Sequence, residues 1–328
     1  MGNTVHIGVI VSLAEERQKK EDTTFGRKYS RDGFFPGSSR GRLEILGRSL
    51  LDRTIDKVRQ LPSASIRVIP EPPVSTALLP ARSAKPSNFI TAWEDAIAQH
   101  LQEGADQLLL LRTGTYYDLE YQDLLRFHSD RGAPLTQAYG TSGALDLAVV
   151  DADCLRNADS PFRKALSSLM PEQERYYYDG YANSVKDPHD LRRLAEDGLH
   201  GRCDLNPIGE EISPGIWIGE GVHLHPSLRV EGPAFIGART RIAENCTVTG
   251  SSSIERDCEI DCGTDVHQSC ILPGSYIGIG LDLNRTVVSE RKLFHLDRDL
   301  LMDIDDDRLI GVTKIAMSAV AARGFGHA

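Results

Sequence analysis

The chain has 328 residues, of which 40% are apolar and 26% are charged, and its formal net charge is −10. This length allows two domains with a sizeable core, and the charge argues against a general nucleic-acid binder, which would need clustered Lys and Arg. No apolar run approaches the ~20 residues of a membrane-spanning helix, and residues 5–14 are too short and interrupted for a signal peptide, so we expect no membrane span and a cytoplasmic location.

Strands and helices alternate in the prediction for the N-terminal part of the chain. Short apolar runs predict buried strands at 5–11, 108–111 and 145–150. Apolar residues at helical spacing predict helices at 50–61, 91–102 and 119–128. Asp187-Pro188 predicts the start of a further helix, with Gly198 past its end. This alternation is typical of an α/β fold with a mainly parallel sheet.

A six-residue repeat follows. Branched aliphatic residues recur every six positions at Ile212, Ile218, Leu224, Val230, Ile236, Ile242, Val248, Ile254, Ile260, Val266 and Leu272. Residues two apart in an extended segment face the same way, so each aliphatic and the small residue two positions before it face inward. A short fixed period predicts a solenoid whose stacked coils share one core. The pattern resembles the hexapeptide repeat of left-handed parallel β-helices, in which three hexads form one triangular coil.

On this interpretation residues 18 apart stack on one another, and one outer face carries an apolar stripe at Trp217, Phe235, Ser253 and Ile271. Such a stripe indicates burial against the N-terminal domain, the segment after 280 or another subunit. We therefore take Trp217, Phe235 and Ile271 as candidate interface residues of a homo-oligomer or of a complex with a partner protein. The predicted domains are an α/β domain at 1–205, the left-handed β-helix at 206–290 and a C-terminal extension at 291–328.

The histidines of the repeat leave two interpretations open. Many proteins with this repeat are acyltransferases that use a coil histidine as general base, which makes His225 and His267 candidate catalytic residues. Both follow inward aliphatics at corners, where exposed polar residues are ordinary, so surface histidines are the other interpretation. Three of the six cysteines, Cys246, Cys258 and Cys270, fall on inward positions and are interpreted as small buried hydrophobes. No metal site is predicted, because Cys258 and Cys262 have no His or paired Cys-x-x-Cys nearby.

Three segments resemble motifs of the sugar-1-phosphate nucleotidyltransferases, or NDP-sugar pyrophosphorylases. Residues 47–56 read GRSLLDRTID, similar to the family's G-R-P-L-L-x-R-T-I-D. Residues 118–133 are similar to its helix motif D-L-x-x-L-L-x-F-H-x-x-R-G-A, and residues 180–190 to its closing motif with G-Y and P-x-D. A β-helix after such a domain is common in the family. The resemblance implies a Rossmann-like, nucleotidyltransferase-type domain followed by a left-handed parallel β-helix.

The active site implied by the resemblance lacks its metal ligands and its phosphate loop. Family members place Mg²⁺ on carboxylates and the triphosphate on a glycine-rich loop. The loop position, residues 12–17, reads SLAEER and has no glycine. The two metal Asp positions fall on Gly114 and Ser184. Asp118, Asp106 and Asp151 are the nearby carboxylates that a shifted metal site would use.

The nucleotide and sugar-phosphate positions are altered as well. The family's nucleotide segment aligns with residues 90–93, ITAW, where Trp93 is expected to fill space that a base needs. The lysine of the family's P-K-P motif corresponds to Arg40, which keeps the charge and changes the geometry. Arg40 and Thr91 are therefore the candidate substrate-binding residues.

These residues favour a non-catalytic nucleotidyltransferase-like protein with a regulatory or scaffolding role in nucleotide-sugar or surface-polysaccharide metabolism. No cofactor is expected, except Mg²⁺ if nucleotidyl transfer survives, and a nucleotide or sugar phosphate is a candidate ligand. The first alternative is an active nucleotidyltransferase with a diverged site. The second alternative is an acyltransferase built on the β-helix.

Overall fold

The structure, a computed structural model, describes residues 5–13, 34–35, 40–69, 89–141, 143–158 and 160–314. Contacts between Cα atoms divide the chain into two compact units. Of the described residues, the first unit contains 5–13, 40–42, 50–69 and those from 89 to 184, and the second contains 34–35, 43–49 and 185–314. The domain boundaries at 205/206 and 290/291 stay predictions. In the described part, no helix is long and apolar enough to cross a membrane.

Short strands and six helices precede the repeat in these residues. The strands are β1 (Ile7–Ser12), β2 (Glu44–Ile45), β3 (Arg48–Ser49), β4 (Ala64–Ile69), β5 (Gln107–Arg112), β6 (Tyr116–Tyr117), β7 (Leu135–Gly140), β8 (Gly143–Asp151), β9 (Glu174–Tyr177) and β10 (Ala182–Asn183). The helices are α1 (Leu50–Arg59), α2 (Phe89–Gln102), α3 (Tyr121–Arg131), α4 (Ala152–Arg156), α5 (Phe162–Leu169) and α6 (Pro188–Leu199). Two 3-10 turns lie at Arg40–Arg42 and Met170–Glu172.

The first unit is built on a six-stranded sheet with the order β4-β1-β5-β8-β7-β9. The pairs β1–β4, β1–β5 and β7–β9 are parallel, whereas β8 is antiparallel to both β5 and β7. Five of the six strands therefore run in one direction and β8 alone is reversed, so the sheet is mainly parallel, as predicted, with one antiparallel strand. The physical reason for the reversed strand is the short connection between β7 and β8, since a parallel crossover needs a dozen or more residues and a hairpin needs about two.

Two apolar clusters lie on the two faces of this sheet. Val9 and Val11 of β1 belong to one cluster, together with Val58 of α1 and Leu124 of α3. Ile10, which points the other way, belongs to the second cluster with Ile97 of α2. Helices therefore cover both faces of the sheet, and its carboxyl-terminal edge is left for a site.

A buried histidine is packed between α2 and β1. His100 is fully buried, and a side chain added at Gly8 would come within 2.8 Å of its ring. Its Nδ1 accepts a hydrogen bond from Arg67 at 2.8 Å, and its Nε2 lies 3.3 Å from the carbonyl oxygen of Val9. The ring is therefore neutral, with its proton on Nε2. Burial, followed by the charge of Arg67, lowers the pKa of His100 from 6.5 to about 4.

The second unit consists of parallel ladders of short strands, a β-helix-like arrangement, with additional strands at its ends. Its strands are β11 (Glu210–Ser213), β12 (Ile216–Ile218), β13 (His223–Leu224), β14 (Arg229–Val230), β15 (Ala234–Ile236), β16 (Arg241–Ile242), β17 (Thr247–Thr249), β18 (Ser253–Ile254), β19 (Glu259–Ile260), β20 (Asp265–His267), β21 (Cys270–Ile271), β22 (Ser275–Ile277), β23 (Asp282–Asn284), β24 (Thr286–Ser289), β25 (Lys292–His295), β26 (Leu300–Asp303) and β27 (Ile310–Val312). A further 3-10 turn lies at Leu296–Arg298. The handedness of the β-helix stays a prediction.

Three parallel ladders form the three faces of the coil. The first contains β12, β15, β18, β21 and β24, the second β13, β16, β19 and β22, and the third β14, β17, β20 and β23. Partners in the early coils are 18 residues apart, as for Ile218 and Ile236. The inward aliphatics of the successive coils form one core, which includes Ile236, Ile242 and Val248. In these coils the ladders therefore have the 18-residue stacking that three hexads per coil predict.

After β20, the sequence separation between paired residues of neighbouring strands falls from 18 to 17. Ser253 pairs with Cys270, and Ile254 pairs with Ile271. The turn between β20 and β21 is one residue shorter than the turn between β17 and β18, so the strict count of six fails before Leu272. Ile271 consequently lies in the core, which corrects its assignment to an outer interface stripe. Cys270 takes the outward position, which corrects its assignment to the inside.

The outer side of the first ladder is covered by the chain itself. Beyond β12, its outward residues are Phe235, Ser253, Cys270 and Val287, and none is more than 1% exposed. A Cβ atom added at Gly47 would lie 3.0 Å from the ring of Phe235. Phe235 is therefore an internal contact, which corrects its assignment to a partner interface. Trp217 is partly exposed and stays a candidate interface residue.

Helix α6 packs on the turns beside this ladder. Asp187 caps the helix by accepting the Asp190 N–H, as expected for an Asp-Pro start. Arg192 donates to the carbonyl oxygen of Gln268 at 2.9 Å. Gly198 lies inside the helix, so the prediction that it follows the helix end is wrong. A side chain there would come within 2.6 Å of the carbonyl oxygen of Leu205, and close packing explains the glycine.

Acidification should destabilise the first unit through His100. Its folded pKa of about 4 lies below the usual 6.5, so this stabilisation is present above pH 6.5 and is lost as the pH falls towards 4. The expected loss is about 3 kcal/mol. Trp93 and Trp217, the two tryptophans, lie in different units, so urea unfolding followed by Trp93 in a Trp217→Phe background reports the first unit. The same pH dependence in His100→Gln would contradict this assignment.

Glu255 should stabilise the second unit. This carboxylate is 1% exposed and accepts the N–H groups of Leu46 and Gly47 at 2.8 and 2.9 Å. Glu255→Ala leaves both donors without this acceptor and should lower the free energy of unfolding by about 2–3 kcal/mol. The measurement is urea unfolding followed by Trp217 in a Trp93→Phe background. Glu220→Ala, at an exposed position of the same unit, is the control and should change stability by less than about 0.5 kcal/mol.

Candidate functional site

The candidate site lies where β1 and β5 end side by side. Ser12 and Arg112, the last residues of these strands, are register partners. Beyond them, the Thr113 N–H donates to the carbonyl oxygen of Ser12 at 2.9 Å. In open α/β sheets, ligands bind outside the carboxyl ends of the parallel strands. This edge is therefore where the first unit would hold a ligand.

The 3-10 turn at Arg40–Arg42 packs directly on this edge. Gly41 is buried, and any side chain at that position would collide with Thr113. The Cβ atom of Arg40 lies 3.3 Å from the position that a Cβ would take at Gly114. The structure therefore brings together Arg40 and Gly114, two positions that the sequence predicted separately. The contact between Gly41 and Thr113 was not predicted, and only its glycine was a signal.

Ser184 belongs to the same corner of the first unit. Strand β10 pairs with β6 so that Asn183 lies opposite Tyr116. Ser184 follows Asn183 directly, and Gly114 lies two residues before Tyr116. Neither Gly114 nor Ser184 has a side-chain carboxylate.

These residues do not fit Mg²⁺. Hard divalent cations take oxygen ligands, mainly carboxylates, whereas Gly114 and Ser184 have none and the neighbouring residues include the basic Arg40 and Arg112. Arg112 has Asp146 as an ion-pair partner at 3.4 Å, with both side chains about 40% exposed. Gly114 has a φ of +121°, a backbone conformation that an Asp would adopt only with strain. Among the described residues, no group of three or more His, Cys, Asp or Glu side chains is placed to hold a metal.

Two of the carboxylates proposed for a shifted metal site lie at the wrong edge of the sheet. Asp106 precedes β5, and its carboxylate accepts the His6 N–H at 2.8 Å. Asp151 pairs with Gln107, the first residue of β5, because β8 runs antiparallel to it. Gly114 follows the other end of this strand, about 20 Å away at 3.3 Å per residue. Asp106 and Asp151 are therefore too distant to share a metal with position 114.

The neighbouring cavity is small. Its walls are formed by α1, the end of β5, and the residues around β6, including Lys57, Tyr116, Tyr117 and Tyr121. Lys57 donates to the carbonyl oxygen of Tyr117 at 3.2 Å, and burial raises the pKa of Tyr117 to about 12. The cavity measures about 20 Å³, which is space for a single water molecule. A nucleotide or sugar does not fit there.

The positions predicted for the nucleotide are only partly described. Thr91 is exposed in the first turn of α2. Trp93 is half-buried and packs with the apolar cluster of α2 and the sheet, which includes Ile97. Its indole therefore contributes to the core of the first unit. Residues 14–17 of the predicted phosphate loop lie outside the described residues.

The two candidate catalytic histidines lie at different corners of the β-helix. His225 follows β13, and its Nδ1 lies 2.8 Å from the hydroxyl oxygen of Ser227. His267 ends β20 on the next ladder, and its Nδ1 lies 2.8 Å from the hydroxyl oxygen of Thr249. The structure does not bring these histidines together. A catalytic role for either one stays a prediction.

Comparison with known proteins gives one partial match. No protein-family model matches this chain. A stretch of 76 residues is 36% identical to a UTP–glucose-1-phosphate uridylyltransferase of Synechocystis sp.. The match indicates a nucleotidyltransferase-like relationship. It includes 23% of this chain and 20% of the relative, so the chain spans about a fifth of the curated protein that it matches.

Substitution of Gly114 should destabilise the first unit more than substitution of another glycine with positive φ. Gly114→Asn introduces an Asp-sized side chain at φ +121°, close to Arg40, and should cost about 1–3 kcal/mol. Gly132→Asn is the matched control, because its φ of +59° is the left-handed region that Asn tolerates and no atom lies within 4 Å. Urea unfolding followed by Trp93 measures both variants. Equal losses of stability would show that the Arg40 turn does not restrict position 114.

Proposed function

We propose that this protein is a non-catalytic sugar-nucleotidyltransferase-like protein with a regulatory or scaffolding role in nucleotide-sugar or surface-polysaccharide metabolism. The observation that carries the proposal is the pair formed by Arg40 and Gly114. A basic side chain begins 3.3 Å from the point where a metal carboxylate would begin. The partial match to a uridylyltransferase supports the relationship, and the Arg40–Gly114 pair supports the loss of turnover.

The chemical reason is the charge that the reaction must neutralise. Nucleotidyl transfer proceeds by in-line attack on a phosphate, and bound Mg²⁺ neutralises the charge that develops on its oxygens. Arg40 and Arg112 repel a divalent cation, and the residues at 114 and 184 supply no carboxylate to attract one. Such a site is expected to bind a phosphate without supplying the metal that the reaction needs.

A nucleotide or sugar phosphate is therefore the proposed ligand of the first unit. Arg40 would contact a phosphate beyond the strand ends, and the exposed Thr91 would contact another part of the ligand. Binding without turnover is the behaviour expected of a regulatory subunit, which reports the level of a metabolite to a partner. The β-helix would supply the surface for assembly, as proposed for its partner interactions.

The first experiment is an assay of pyrophosphate release with Mg²⁺, a panel of nucleoside triphosphates and a panel of sugar 1-phosphates. We expect no release above the protein-free control. The Gly114→Asp/Ser184→Asp variant should also be inactive, because the Arg40 turn still occupies the edge. Robust turnover by the unmodified protein would overturn the proposal and support the diverged but active enzyme.

The second measurement of the same experiment is ligand-induced thermal stabilisation without Mg²⁺. Nucleotides or sugar phosphates should raise the melting temperature of the wild type and raise that of Arg40→Ala less. Arg59→Ala is the matched control, since Arg59 is an exposed arginine of the same unit, on α1. Equal responses of the two variants would remove Arg40 from the proposed site.

A further inference from the structure

The first coil of the β-helix is incompletely buried. Its inward residues are each partly exposed, and they are Ile216, Ile218, Val222, Leu224, Leu228 and Val230. Their counterparts 18 residues later are all buried, and they are Ala234, Ile236, Thr240, Ile242, Cys246 and Val248. Ile212 in the adjacent β11 is 54% exposed. An apolar core therefore reaches the surface at the end of the solenoid that begins with β12.

The opposite end of the solenoid is closed by the chain. Strands β25 and β26 extend the first ladder after β24, and β27 pairs with β22 on the second. Leu293 and Ile310 of these strands are buried in the same core. Solenoids need such capping elements for solubility, because each coil depends on a neighbour to bury its inner face. The first coil has β11 on one ladder only.

The other two ladders end in open edges. Within the described residues, β13 and β14 are the terminal strands of their ladders. The N–H groups of Arg229 and Glu231 donate to the next coil, at Cys246 and Val248. Backbone groups alternate in direction along a strand, so the N–H and C=O of Val230 point away from that coil. Such edges are templates for pairing with another strand.

Opposite charges flank this open edge. Arg229 and Glu231 are both exposed, on either side of Val230. Neither has an ion-pair partner among the described residues. If β14 meets a second β14 in antiparallel orientation about Val230, Arg229 of each copy lies opposite Glu231 of the other. This arrangement is self-complementary, as a two-fold interface requires.

We propose that a second copy of this chain stacks on the open end of the β-helix, with β14 antiparallel to β14 of the partner subunit. The open third ladders of the two first coils then pair with each other, and Arg229 pairs with Glu231 of the partner subunit. The surface differs from the Trp217 stripe, because it is the end of the solenoid and not its side. The proposal holds whether or not the first unit is catalytic.

The test is a charge swap in the full-length protein, measured by sedimentation velocity over a range of concentrations. The wild type should be a dimer. Arg229→Glu and Glu231→Arg each place like charges opposite one another, and each should raise the dimer dissociation constant about tenfold or more. The double variant restores the opposite pairing and should recover the wild-type constant. Asp265→Arg, an exposed charge reversal on the same ladder two coils away, should have no effect.

Each outcome decides the proposal. Loss of dimer in both single variants and its recovery in the double variant support it. A monomeric wild type overturns it, and protection of the first coil from hydrogen exchange in that monomer would assign the cover to another part of the chain. A dimer that does not respond to the single variants overturns the interface. A dimer lost in the single variants and not recovered in the double variant overturns the pairing. Thermal melting of each variant confirms that the exposed substitutions leave the fold intact.

Discussion

Each coil of the repeat completes its core only by stacking on the next coil, and the organisation of the second unit depends on this constraint. Because the inward aliphatics must align, the spacing of partners determines which side chains face in and which face out. The outward residues of the first ladder beyond β12, which include Phe235, are buried. The Glu255 carboxylate accepts hydrogen bonds from the backbone N–H groups of Leu46 and Gly47. The same constraint leaves the first coil incomplete, since nothing among the described residues stacks on two of its ladders.

The repeat was predictable up to the point where a turn changes length. A periodic pattern identifies inward residues while every turn has the same number of residues. Cys270, Ile271 and Leu272 are all apolar, so hydrophobicity alone does not show that the turn after β20 is one residue shorter. In the first unit, apolar spacing located strands and helices to within about three residues. It did not reveal that β8 is antiparallel, because strand direction depends on the connection and not on periodicity.

The sequence identified residues of the site, but it did not reveal how they are arranged in space. Motif spacing identified Arg40 and Gly114, and the structure brings these two positions together at one edge of the sheet. The same spacing did not exclude Asp106 and Asp151, whose distance from the site follows from strand directions. The 3-10 turn at residues 40–42 packs against Thr113 only because Gly41 has no side chain. This contact joins segments that lie far apart in the chain, so the sequence pattern did not reveal it.

The contact of Gly41 with Thr113 bears on how this protein can evolve. A side chain introduced at position 114 would begin 3.3 Å from the Cβ atom of Arg40. Residues 40–42 and the loop after β5 are therefore coupled, because a larger side chain in either segment must be accommodated by the other.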